Sequence, residues 1–217
     1  MRPNFKKMNK NYLQEMSEAG YRAENISDFH KIALPFLGEK FFSEKDYKIL
    51  DIGAGNGHTL IPLKSKGWKN LWALDRDDFN KNFFKGNNIE FVKTDLDFEK
   101  IPFNDGYFDV ILSFHVIEHI KNFDNYLSEI SRVLNSNGVF ILVTPDWRKQ
   151  YKTFYRDHTH IHPYDKESIG RLLKCYNFKL LTVKSFGVIR GFGRLKIWKL
   201  FKSLMFTGIN MIVICKK

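Results

Sequence analysis

Apolar residues along this chain fall into two rhythms that alternate. Short, nearly continuous apolar runs read as buried strands: Ile49–Ile52, Leu71–Leu74, Glu90–Thr94, Phe108–Ser113, Val139–Val143, Phe178–Phe186 and Asn210–Cys215. Between them, apolar positions recur at helical spacing over Leu60–Lys66, which Gly67 ends, over Phe123–Leu134, and over Lys166–Cys175 behind the break Pro163-Tyr164-Asp165. A further helix is expected to open at Arg76, Asp77 and Asp78. Strands that alternate with helices in this way predict an α/β fold with a largely parallel sheet. Ahead of the first strand, Asn9–Ala19 and Ser27–Gly38 carry helical spacing, so residues 1–47 read as a helical cap, with Tyr12 and Tyr21 as candidate ligand contacts or packing residues.

Length and composition leave this picture as one domain. A chain of 217 residues with 43% hydrophobic content suits a single full core. Cys175 and Cys215 lie far apart without ligand spacing, which points to free thiols and a reducing, cytoplasmic setting. The first residues lack an apolar leader and no run is long enough to span a bilayer, so contact with a membrane would be peripheral, at its inner face. The net charge of +11 suggests an anionic partner, although a bias toward Lys, Asn, Ile and Phe throughout explains it equally well.

The chemistry begins at Lys48–Thr59, KILDIGAGNGHT, where an apolar strand runs into Gly53, Gly55 and Gly57. Bare backbone at the carboxyl end of a parallel strand lets a nucleotide-like ligand approach closely. A dinucleotide fingerprint needs a third glycine where His58 stands, and no lysine follows as in a phosphate-binding loop. The pattern G-x-G-x-G, preceded by Asp51, resembles the first motif of the class I S-adenosylmethionine (SAM) dependent methyltransferases. The resemblance implies a Rossmann-like, seven-stranded, doubly wound sheet with one antiparallel edge strand and helices on both faces. It also implies SAM as cofactor. Asp75 ends the second strand about twenty residues on, where an acid accepts from ribose hydroxyls; a helix N-cap would explain it too. Asp95 and the Leu96 backbone are implied to meet the adenine, and Arg76, Ser113 and His115 to complete the cofactor site.

The stretch SFHVIEHIKNFDNYLSEISRVLNSNGVFILVTP carries the resemblance further, toward methyltransferases of quinone and sugar pathways, in which a Glu-His pair follows the fourth strand. Ser113-Phe114-His115 stands where nucleic-acid amino-methyltransferases usually carry a Pro-Pro-Tyr type motif, so DNA is not expected as a substrate. If the segment is helical, His115, Glu118 and His119 share one face. H-x-x-E-H is also an inverted zinc-protease motif, but it sits here inside a SAM-type strand order. Quinone-pathway enzymes have a Glu-x-x-Glu-His arrangement tied to a divalent ion. His115 replaces its first Glu, and the expectation is no metal, with Glu118 and His119 fixing the loop over the methionine part of SAM.

Beyond the fifth strand, Asp157–His160 fits the D-x-T-H loop of related sugar and small-molecule methyltransferases. Methyl transfer to oxygen needs a base for the hydroxyl proton, and neutral imidazole suits. His160 is the first candidate, His158 the second and His119 the third, with Asp157 as orienter. Read as an extended strand, the loop would set His158 and His162 on one side and His160 on the other, against a three-histidine metal site. Tyr155, Arg156 and Arg190 are candidate acceptor contacts. Arg190, Arg194, Lys196, Lys199 and Lys202 interleave with apolar residues, so the segment around 194–206 reads as a basic amphipathic helix covering the sheet, clamping an anionic acceptor or touching a membrane. The domains expected are the cap over 1–47 and a methyltransferase domain over 48–217, with acceptor elements in 146–165 and 187–208. The expected function is O-methylation of a small polar acceptor, a sugar or a nucleotide-linked or phosphorylated sugar of surface-polysaccharide synthesis, by a monomer or homodimer. A quinone or lipid methyltransferase at the membrane surface, and a non-catalytic SAM-binding or RNA-binding module, are the alternatives.

Overall fold

The computed structural model describes residues 34–186 and 209–217. Seven strands form one sheet in the order β3-β2-β1-β4-β5-β7-β6. β1 (Ile49–Ile52), β2 (Leu71–Asp75), β3 (Glu90–Lys93), β4 (Phe108–Phe114) and β5 (Leu134–Pro145) run parallel. β6 (Lys179–Phe186) and β7 (Asn210–Lys216) follow, and β7 is antiparallel to both β5 and β6. The reversed strand therefore sits toward one edge, one place in from the border. From β1 the chain builds outward through β2 to β3, then returns to lay β4 on the other flank of β1. That reversal opens a crevice at the carboxyl ends of β1 and β4, the place where open α/β sheets bind ligands.

Why the sheet is covered twice follows from its side chains. Alternate residues point to opposite faces, and on the central strands both sets are apolar and buried. Leu50, Ile52, Phe140 and Leu142 join one cluster with Tyr126, Leu127 and Ile130 of α4 (Phe123–Val133) and Ile169 and Leu173 of α6 (Lys166–Cys175). Ile49, Val110, Ile141 and Val143 join the other with Leu34 of α1 (Leu34–Phe41), Leu60 and Leu63 of α2 (Leu60–Ser65) and Phe84 of α3 (Lys81–Gly86). The short α5 spans Trp147–Gln150. Trp68 is buried beside Phe42 and donates its indole N–H to the Phe42 carbonyl at 3.1 Å, which docks the end of α1 onto the domain.

Two boundaries differ from the sequence expectation for local reasons. Arg76–Asp78 does not open a helix; α3 begins only at Lys81, after Asn80. Asp75 accepts from the Gly55 and Asp77 amides instead, which holds the chain in a turn and leaves no N-cap role for it. β5 begins at Leu134, because Leu134 pairs with Phe108 before the register shifts to Val110 opposite Val139. The helices expected over Asn9–Ala19 and 194–206, the start of Ser27–Gly38, and Tyr12, Tyr21 and Arg190 lie outside the described residues.

One charged group pins the link between β3 and β4 against α4. Arg132 donates to the carbonyls of Ile101 and Phe103 and to both oxygens of buried Glu129, while the second Glu129 oxygen also accepts from the Ile101 amide. Removing the guanidinium strands a buried carboxylate and two carbonyls. Arg132→Ala is expected to lower stability by about 3 kcal/mol. Urea unfolding followed by circular dichroism checks this, and a midpoint equal to that of the parent chain would contradict the role given to Arg132.

Candidate active site

β1 delivers the chain to a turn that ordinary residues cannot make. Gly53, Gly55 and Gly57 have φ of +69°, +48° and +75°, a region that costs an L-residue with a Cβ. The three are glycine for two different reasons. A Cβ on Gly53 would run into Val116, and one on Gly57 would meet Phe83 and Phe84 at 2.9 and 3.1 Å, so these two allow close packing. A Cβ on Gly55 would meet only the Gly53 carbonyl, at 3.9 Å; it would project into open space, where a ligand approaches the backbone.

The turn is tied to β2 rather than left loose. The Gly53 and Ala54 amides donate to the Leu74 carbonyl at 2.8 and 3.1 Å, and the Gly55 amide donates to Asp75 Oδ2 at 2.9 Å. From the far side, Asn80 Nδ2 donates to the Gly55 carbonyl and to Asn56 Oδ1, both at 2.9 Å. Burial raises the Asp75 carboxyl above its ordinary value, while the Gly55 and Asp77 amides pull it down. Asp51 lies in β1 just before the turn, 1% exposed, with Oδ2 lacking a hydrogen-bond partner. Burial pushes its carboxyl well up, against a bond from Thr59 and with Asp75 adding to the rise.

A cavity opens above this turn. It is lined by Gly53, Gly55, Asp75, Arg76, Asp95, Leu96, His115 and His119, together with Asp77, Asp97 and Val116. The loop after β3 is held at its mouth by Asp97 Oδ1, which accepts from the Lys121 and Asn122 amides at 2.8 and 3.0 Å. Glycines, an acid at the end of β2 and an acid just after β3 thus face one space, and these residues would hold SAM. Among the expected cofactor residues, Gly57 packs on α3, Asp51 is buried, and Ser113 is buried with its hydroxyl 2.6 Å from the Tyr126 hydroxyl; none of the three lines the cavity.

The histidines come together in a way the sequence spacing does not describe. His115 takes φ +57° and only Ile117–His119 forms a single 3-10 turn, so no helical face exists. The His115 ring bonds Glu118 Oε1 at 3.2 Å, and the Thr144 hydroxyl donates to Oε2 at 2.9 Å. Glu118 is fully buried; burial pushes its carboxyl up, yet the bond and charge of His115 win and hold it below its usual range. Its carbonyl accepts from the amides of Ile161 and His162 at 2.7 and 3.2 Å, which ties the chain just after the D-x-T-H loop to Glu118.

That loop is turned, not extended, which removes the basis for placing its histidines by alternation. Phe154–Arg156 is a 3-10 turn and the His160 amide donates back to the Asp157 carbonyl at 3.2 Å. His160 packs on Phe154 and donates from Nδ1 to its carbonyl at 2.7 Å, while its ring lies 4.8 Å from that of His119. Asp157 Oδ2 stands 3.9 Å from His160 Nε2. His119 bonds the Thr159 hydroxyl at 2.8 Å. His158, Tyr155 and Arg156 are exposed and do not line the cavity; Tyr155 packs on Trp147 and Phe154. Glu118, His119 and His160 place one donor atom each within 4.8 Å of one another, and these are the described residues that could hold a metal. Ligands about 2 Å from an ion lie closer to one another than that, so the three side chains would have to draw together.

Thr159, Thr144, Asn80 and Val116 are the contributors that sequence reasoning missed. Only Thr159 had a signal, as the third residue of D-x-T-H. The others act across long stretches of chain, Thr144 on Glu118 and Asn80 on Gly55 over about 25 residues and Val116 on Gly53 over more than 60. If Asp75 carries the cofactor, Asp75→Ala weakens SAM binding by about 10- to 100-fold, the loss of about 1.5–3 kcal/mol of charged hydrogen bonding. Titration calorimetry measures this, and an unchanged affinity would remove Asp75 from the site.

The comparisons with known proteins agree with this geometry. Residues 19–183 match the model of a methyltransferase domain family. The chain is 26% identical over 149 residues to "Ubiquinone biosynthesis O-methyltransferase" of Rickettsia akari, which covers 64% of this chain and 57% of that protein. It is 28% identical over 137 residues to "Sterol 4-C-methyltransferase strm-1" of Caenorhabditis elegans, covering 58% of this chain and 40% of that one. The chain thus spans about half the length of the curated relatives it matches. Among solved structures, a SAM-dependent methyltransferase of Archaeoglobus fulgidus superposes with a TM-score of 0.64 at 21% identity, over 84% of this chain and 98% of that one. One from Thermotoga maritima, described as a possible histamine N-methyltransferase, does so with a TM-score of 0.67 at 14% identity, over 98% of each chain. The glycine turn, the acids that face it and the family match lead to one conclusion: this chain belongs to the methyltransferase domain family.

Proposed function

We propose that the chain moves the methyl group of SAM to an acidic hydroxyl, of the phenolic kind, on a small acceptor that enters beside His119. Bound SAM supplies an electrophilic methyl group; the protein's own task is to hold the acceptor oxygen in line with it and to relieve that oxygen of its proton. The observation that carries the proposal is His119, a half-buried imidazole on the wall of the cavity. Burial holds it below its ordinary value, outweighing the pull of Glu118 in the other direction.

The strength of this base bears on the acceptor. From a phenol, with a pKa near 10, transfer to an imidazole at about 6.5 or lower is uphill by about 5 kcal/mol or more. From an aliphatic hydroxyl near water's 15.7 the gap is about 12 kcal/mol. A phenol is therefore within reach of His119 acting alone, and a sugar hydroxyl much less so. The O-methyltransferase name of the Rickettsia akari relative supports the same direction. The sugar acceptor expected from sequence rests on the D-x-T-H loop and the basic charge, and it is the second reading. A peripheral membrane contact belongs to the quinone or lipid form of the first; no helix among the described residues is long and apolar enough to cross a membrane.

Incubation with SAM and separate panels of hydroxylated aromatics and nucleotide sugars, read by mass spectrometry for S-adenosylhomocysteine and methylated product, tests both. Aromatic hydroxyls are expected to turn over. Turnover of nucleotide sugars alone would overturn the phenolic reading, and methylation at nitrogen or carbon would overturn O-methylation. In the pH–rate profile, the active form is neutral His119 and its pKa is depressed. The rate should hold through pH 6.5 and fall only below it, whereas an acid limb above 7 would contradict His119 as the base.

A further inference from the structure

We propose that Thr159 and Asp157 form a relay that fixes the His119 tautomer and so places its basic lone pair on Nε2. This rests on the reading of His119 as the base and adds how that base is set. Asp157 Oδ1 accepts from the Thr159 amide at 2.9 Å and from the Thr159 hydroxyl at 2.6 Å. A carboxylate only accepts, so the single hydroxyl proton of Thr159 is committed to Asp157. The Thr159 oxygen, 2.8 Å from His119 Nδ1, is then an acceptor toward the ring, and the neutral imidazole must carry its proton on Nδ1.

This direction matters because a neutral imidazole left to itself favours the proton on Nε2. The wrong tautomer turns a base into a donor toward the acceptor oxygen and stops proton removal. Neighbouring groups support the assignment. Glu118 engages His115 Nδ1 and the Thr144 hydroxyl, and its carbonyl holds the amides of Ile161 and His162. His160 has its Nδ1 proton committed to the Phe154 carbonyl, so it packs beside the His119 ring and leaves the Thr159 bond undisturbed. The relay joins residues 40 positions apart, so its partners on the D-x-T-H loop are positioning residues and His119 is the one that meets the cleft. In the transfer itself, the acceptor O–H bond breaks toward His119 Nε2 as the oxygen bonds the methyl carbon. The sulfonium bond releases its electron pair to sulfur, so S-adenosylhomocysteine leaves neutral at sulfur and His119 leaves as imidazolium, its Nδ1 proton held by Thr159.

Long-range proton–nitrogen NMR on the full chain with nitrogen-15 histidine reads the tautomer directly and needs no acceptor. At pH 7.5, wild-type His119, assigned by the loss of its signals in His119→Gln, is expected as the Nδ1–H form. Thr159→Val is close in shape but cannot bridge, and should shift His119 toward Nε2–H; Thr159→Ser should restore the wild-type pattern. The signals of the other histidines in each variant report that the fold is kept. With an acceptor in hand, Thr159→Val should lower kcat by about 10²- to 10⁴-fold at unchanged SAM affinity, with Thr159→Ser recovering most of it. An Nε2–H tautomer in the wild type, or one unchanged by Thr159→Val, overturns the relay even if the enzyme turns over. A tautomer that switches as described in a chain that fails to bind SAM upholds the relay and overturns the transferase reading instead.

Discussion

A 2.9 Å hydrogen bond from the Gly55 amide to the Asp75 carboxylate joins the ends of β1 and β2, and the rest of the site depends on that tie. It orders a glycine turn that would otherwise have entropy to lose at every residue. It also holds the carboxylate of Asp75 at the cavity wall, where lone pairs left over from the Gly55 and Asp77 amides would serve a bound ligand. The buried sheet on either side gives this arrangement its rigidity, because β1 is covered on both faces and flanked by paired strands. A site on such an element is more closely held than one carried by loops alone.

The side where the proposed acceptor would enter is built by a different device. Glu118 leaves β4's carboxyl end as a buried anion and uses both its side chain and its backbone carbonyl to gather partners. Through the carbonyl it brings residues 161 and 162, and with them Thr159 and His160, up to His119. The glycine-turn half thus relies on backbone geometry and the Glu118 half on a polar network. Such a network is costly if any member is lost, since each buried group then stands unpaired.

How much of this was legible in the sequence follows from the range of each interaction. β1 and its turn were readable because a buried parallel strand is continuously apolar and a positive φ calls for glycine, both local constraints. Asp75 was marked by its place at the end of the second strand and Asp95 by the family resemblance, and both line the cavity. The helix expected at Arg76–Asp78 failed because Asp75 spends its carboxylate on Gly55, a partner 20 residues away. His160 and His158 were the first base candidates from their place in and beside the D-x-T-H motif, yet His119 lines the cavity and they do not; the alternation used to set the three histidines apart fails because the chain turns at Phe154–Arg156 and again at His160. Thr159 lay in plain view in the D-x-T-H motif, but its role needs His119, 40 residues earlier in the chain, to be seen beside it.

Hydrogen–deuterium exchange of the full chain, with and without SAM and with a nicotinamide dinucleotide as control, tests the central claim most directly. Added SAM should slow exchange at the amides of 53–57, 75–77 and 95–97 together, while the dinucleotide leaves them unchanged. Protection of those three segments by the dinucleotide and not by SAM would contradict the assignment of this cleft.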